Sequence, residues 1–102
     1  MSRLEQLHRL LEKSPEDPFL TYGIALEHKK QGEFDQAVEW LDRTIRADAN
    51  YCYAYYQKGQ VLEQLGRIED ARKAYRAGIE AARRVGDAHA EGEIAGAEEM
   101  LG

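Results

Sequence analysis

Four side chains could carry proton transfer, metal binding or nucleophilic attack near neutral pH: His8, His28, His89 and Cys52. A metalloprotease helix sets two histidines four residues apart with a glutamate between them. The run His89-Ala90-Glu91-Gly92-Glu93 starts in that way, but Glu93 stands where the second histidine belongs. His89 therefore reads as a surface histidine, and His28 as a hydrogen-bonded residue at the edge of a core. Cys52 has no second cysteine and no histidine nearby in sequence to lower its pKa, so it reads as a small packing residue rather than a nucleophile. There is no glycine-rich phosphate loop, and Arg83-Arg84 suits the negative end of a helix dipole better than a phosphate. These residues do not make an active site. The expectation is a protein that is not an enzyme, with no cofactor and no metal ligands.

The elements that position these residues are helices. Ala, Leu, Glu, Gln, Arg and Lys are frequent, Val, Ile and Thr are sparse, and no useful length alternates in the manner of a strand. Ser2 and Glu5 form a capping box for a helix over about 3–13, with Leu4, Leu7, Leu10 and Leu11 as its apolar stripe. Pro15 ends it. Asp17-Pro18 opens a second helix, which Gly32 closes. A third, about 35–48, buries Phe34, Ala37, Val38, Leu41 and Ile45. A fourth, about 51–65, ends at Gly66. A fifth, about 69–85, buries Ile68, Ala71, Ala74, Tyr75 and Ile79 and ends at Gly86. The last spans about 88–101, and its Gly92 and Gly96 are expected to allow close approach to the preceding helix.

The bulk numbers bound the remaining choices. The 102 residues suffice for one domain, and 43% hydrophobic with 32% charged is an ordinary globular balance. A net charge of −5 speaks against nucleic acid and anionic membrane as partners. It serves solubility or favours a basic partner. One cysteine cannot form an internal disulfide, and no apolar run suits a signal peptide or a bilayer span, so the expected location is cytoplasmic.

An echo organises the chain. Gln31-Gly32-Glu33-Phe34-Asp35-Gln36-Ala37 returns as Leu65-Gly66-Arg67-Ile68-Glu69-Asp70-Ala71, with Gly32 and Gly66 34 residues apart. Tyr22 and Tyr56, Ile45 and Ile79, and Ala47 and Ala81 keep the same spacing. A fixed period of this length marks stacked helical repeats. Residues 18–85 resemble the tetratricopeptide repeat, a helix–turn–helix unit with small residues at its helix crossing and a glycine at its turn. Ala25, Gly32, Phe34, Ala37 and Leu41 match the pattern in one unit; Tyr55, Gly59, Leu62, Gly66, Ile68, Ala71 and Tyr75 match it in the next. Five residues depart from it: Thr21 where an aromatic is usual, His28 where a tyrosine is, Lys58 where a leucine is, and Ala49 and Arg83 where a proline is common.

The resemblance implies an all-α fold of antiparallel helix–turn–helix repeats, about six helices stacked as a short right-handed superhelix. It divides the chain into an N-terminal half-repeat helix (1–17), two repeats (18–51 and 52–85) and a C-terminal capping helix (86–102). It also implies a non-enzymatic protein–protein interaction module that binds a peptide or protein segment in a concave groove. The first helices of the repeats would line that groove with Phe19, Tyr22, Leu26, Lys29 and Lys30, then Tyr53, Tyr56, Gln57, Gln60, Glu63 and Gln64, with Ala90 and Ile94 from the last helix. The alternative is a homo-oligomer that stacks through its terminal helices. One subfamily grips acidic chaperone tails with a two-carboxylate clamp of Lys, Arg and Asn. The clamp positions here hold Tyr22, Leu26, Gln57, Asp87 and Glu91, so no such clamp is expected.

Overall fold

A computed structural model describes residues 1–102. It has six helices and no strand: α1 (Arg3–Lys13), α2 (Pro18–Lys30), α3 (Phe34–Ala47), α4 (Cys52–Gln64), α5 (Ile68–Val85) and α6 (Ala88–Glu99). Their ends follow from local chemistry. The Ser2 hydroxyl accepts from the Glu5 backbone N–H and donates to the Glu5 carboxylate, both at 3.1 Å. Asp17 accepts from the Phe19 N–H at 2.9 Å, with Pro18 in the first turn. Gly32, Gly66 and Gly86 take φ of 78°, 75° and 71° at the ends of α2, α4 and α5. This left-handed conformation lets the next N–H reach back to a carbonyl five residues earlier, as Glu33 to His28, Arg67 to Leu62 and Asp87 to Ala82, each at 2.9 Å.

Each helix packs against its neighbours in the chain, as short connections require. The core is a row of three clusters. Leu7 and Leu11 of α1 meet Leu20 and Ile24 of α2. Ala25, Ala37, Leu41, Ala54 and Val61 join α2, α3 and α4. Tyr75, Leu62, Ile79 and Ile94 lead a third cluster of α4, α5 and α6. Ala25, Ala37 and Ala71 are fully buried, so their small size sets the close helix crossings. Trp40 ties α1 to the stack, with His8 edge-on at 5.3 Å and the Arg43 guanidinium 4.1 Å from its ring.

Thr21, which stands in place of an aromatic, has a partner. Its hydroxyl lies 2.8 Å from that of Thr44 in α3, and both are buried. Each hydroxyl also lies within hydrogen-bond reach of a backbone carbonyl on its own helix, Thr44 of Trp40 at 2.9 Å and Thr21 of Pro18 at 3.2 Å. A polar clip thus replaces an aromatic plug between α2 and α3.

Three packing expectations are corrected. Ile68 is 39% and Leu10 51% exposed, because each lies at the rim of its helix's apolar stripe. Gly92 and Gly96 do not approach α5: a Cβ at either would meet nothing within 4 Å. The glycine of close approach to α6 is Gly78 in α5, where a Cβ would lie 3.2 Å from Ile94 Cδ1. Gly92→Ala and Gly96→Ala are therefore expected to stabilise the protein by about 0.5–1 kcal/mol each, through backbone entropy alone. Thermal unfolding followed by circular dichroism measures this. A fall in Tm would mean that the outer face of α6 is packed after all.

Candidate partner-binding surface

Helices α2, α4 and α6 lie side by side and exchange polar contacts. Lys29 donates from Nζ to the side-chain oxygens of Gln57 at 2.6 Å and Gln60 at 2.8 Å. Its partners are neutral amides, and burial lowers its pKa. Tyr22 packs on Tyr51 at 4.9 Å between ring centroids, and burial raises its pKa. Tyr53 meets Tyr56 edge-on at 6.1 Å, and Tyr56 lies 6.3 Å from Tyr75. The Tyr53 hydroxyl donates to Glu93 of α6 at 2.8 Å. The Tyr75 hydroxyl donates to Glu63.

This surface collects most of the residues named from sequence. Phe19 stands 66% exposed at its edge, Lys30 and Gln64 are exposed, and Leu26, Tyr22, Tyr53, Tyr56, Gln57, Gln60 and Glu63 are half-buried. Ile94 does not belong to it. Ile94 and Ala90 are fully buried in the core, and Glu93 takes the outward place. The cause is a change of register. Helix α4 begins 34 residues after α2, but α6 begins 36 after α4, because α5 is four residues longer than α3 while the connection that follows it is two residues shorter. Two residues turn a helix by about 200°, which carries the expected groove face of α6 into the core. Tyr51 and Glu93 are the residues that sequence reading missed. Tyr51 precedes its helix, and Glu93 is hidden by the fixed 34-residue frame, which starts the last unit two residues before α6 begins.

His28, His89 and Cys52 make local contacts. His28 Nδ1 lies 2.9 Å from Glu33 Oε1 at the core edge, and His89 sits 3.2 Å from Glu93 on the surface. Cys52 is 7% exposed, and burial, then Asp87, pushes its thiol pKa up, so it stays protonated. No three His, Cys, Asp or Glu side chains converge as metal ligands would. No helix is long and apolar enough to cross a membrane.

Two tyrosines hold their protons unusually tightly. The hydrogen bond to Glu93, then desolvation, pushes Tyr53 up to about 12, and burial, then the bond to Glu63, raises Tyr75 further. Both pKa values lie above the ordinary 10.0, so the folded state binds these protons more tightly than the unfolded chain. Their contribution is complete below pH 10 and is lost as pH climbs through the folded values. Stability is expected to fall on the alkaline side of pH 10, less steeply in Tyr75→Phe than in the parent, by urea unfolding across that range. Equal slopes would mean that Tyr75 titrates normally.

The fold defines a helical-repeat protein with an aromatic and amide surface along one row of helices. The tetratricopeptide repeat family model matches residues 22–84, and the chain belongs to that family. It is 28% identical over 91 residues to a TPR repeat-containing protein of Pseudomonas aeruginosa, across 89% of this chain and 87% of that one. The crystal structure of a tetratricopeptide repeat domain protein from Salinibacter ruber is 34% identical, with a TM-score of 0.78 over 84% of this chain and 96% of that one. The type III secretion translocator chaperone of Yersinia enterocolitica shares the fold at 13% identity, with a TM-score of 0.86 over 96% of this chain and 68% of that one. Tetratricopeptide repeats generally mediate protein–protein interaction and are typically not enzymes.

Proposed function

We propose that the α2–α4–α6 face is the concave groove of an interaction module and captures a peptide or protein segment. The repeat units are a half-repeat (1–17), two repeats (18–51 and 52–85) and a capping helix (86–102). The observation that carries this reading is the run of aromatic rings Tyr22, Tyr51, Tyr53 and Tyr56 beside the Lys29–Gln57–Gln60 amide cluster. Aromatic rings bury large area with few rotatable bonds, and amides can bond to a partner's backbone. Tyr22→Ala with Tyr56→Ala is expected to weaken capture of the native partner about tenfold or more, with helicity largely kept. The partner would first be identified by affinity purification and mass spectrometry from the native cell. Unchanged capture by a folded double variant would end this assignment.

The second reading is self-association through the terminal helices. It is favoured by Leu10 on α1, 51% exposed, and Met100 after α6, 86% exposed. Light scattering at high concentration separates the two, since a monomer removes the second.

A further inference from the structure

The seventh residue of each groove helix occupies an equivalent place: Ile24 in α2, Lys58 in α4 and Ile94 in α6. Both isoleucines are fully buried, whereas Lys58 keeps 28% of its side chain exposed. Ile24, with Leu7, Leu11 and Leu20, seals the junction between α1 and α2 with apolar side chains. Around Lys58 the next junction is open. A cleft of about 560 Å³ lies between α3 and α5, with α4 as its floor. Its depth is apolar, lined by Val38, Ile45, Leu62, Ala74 and Ala77.

The rim is charged and unbalanced. Lys58 pairs with Asp42 at 2.7 Å and Arg67 with Asp70 at 2.8 Å. Arg46 on α3 and Lys73 on α5 face the same cleft from opposite walls, and neither pairs with a carboxylate. Four cations therefore meet two carboxylates. The chain's net negative charge lies elsewhere. Residues 86–102 hold Asp87, Glu91, Glu93, Glu98 and Glu99 without a Lys or Arg, which leaves the rest of the chain balanced.

We propose that this cleft is a second protein-docking site, for a segment that carries one aliphatic side chain between carboxylates. The apolar floor takes the aliphatic group, and Arg46 and Lys73 take the charges. The cleft is built from α3, α5 and the side of α4 that bears Lys58, apart from the Tyr56–Gln60 surface, so both sites can be filled at once.

The test is a titration of ¹⁵N-labelled protein with an acetylated, amidated Glu-Glu-Leu-Glu-Glu peptide, against Lys-Lys-Leu-Lys-Lys as control. The acidic peptide is expected to shift the amide resonances of Ile45, Leu62, Ala74 and Ala77, less so at high salt. Arg46→Glu with Lys73→Glu changes two exposed side chains and is expected to cut affinity at least about tenfold with the fold intact. Lys58→Ile is expected to close the cleft and abolish binding while Tm holds or rises. Absent shifts at millimolar peptide, equal binding of the basic peptide, or indifference to charge reversal would each overturn the proposal. So would a sedimenting dimer that the charge reversal dissolves, since the occupant would then be a second copy.

Discussion

Replacing Tyr75 with alanine is expected to cost about 3–5 kcal/mol, the largest single loss in the protein. Tyr75 heads the fully buried side chains in volume and stands at the centre of the cluster that joins α4, α5 and α6. The ring lies against the Gly59 backbone and neighbours Tyr56. Total stability for a domain of this size is about 5–15 kcal/mol, so the variant is expected to be marginal. Urea unfolding measures the loss, and Tyr75→Phe apportions it. The phenylalanine variant keeps the ring and removes the bond to Glu63, whose carboxylate is half-exposed and regains water, so its cost is expected to be about 1 kcal/mol or less. A loss below about 1 kcal/mol in Tyr75→Ala would mean that the ring does not hold the cluster together.

Gly59→Ala is the second large effect, and it has an unusual sign test. In an exposed helix this exchange gains about 1 kcal/mol. At Gly59 the new Cβ would lie 2.2, 2.5 and 2.6 Å from the Cε1, Cδ1 and Cζ atoms of Tyr75. The ring is fully buried and held at its hydroxyl, so it has no room to retreat. Overpacking of this kind costs about 1–3 kcal/mol or more, and a net loss of about 2 kcal/mol is expected. In the Tyr75→Ala background the obstacle is gone, and the same exchange is expected to stabilise by about 1 kcal/mol. A Gly59→Ala penalty that persists without the ring would place its cause in the α4 backbone.

These two residues separate what each level of information could reveal. Gly59 stood out in the sequence as a small residue at a repeat position, but so did Gly92 and Gly96 as a pair one turn apart. A Cβ at Gly59 meets a tyrosine; a Cβ at Gly92 or Gly96 meets open space. The difference lies in the residue opposite, which for Gly59 is 16 positions away in another helix. Thr21 was legible only as a departure, since its partner Thr44 is 23 residues distant. Lys58 was a departure too, and only the assembled α3–α4–α5 junction turns it into a charged opening.

The sequence by itself determined the helices, the caps of α1 and α2, the left-handed glycine turns and the small residues at the crossings. Each rests on contacts within a turn or on a period that one chain displays. The return of Gly32-Glu33-Phe34 as Gly66-Arg67-Ile68 was sufficient for the family. Tertiary structure alone decided which way α6 faces. The longer α5 and the later start of α6 are already present in the helix bounds read from sequence, but a rigid 34-residue frame ignores them, and the two-residue offset turns Ile94 into the core and Glu93 towards Tyr53. Local rules say where a helix starts and stops. The side it buries depends on where the preceding helix leaves the chain, and that is settled only when the apolar faces meet.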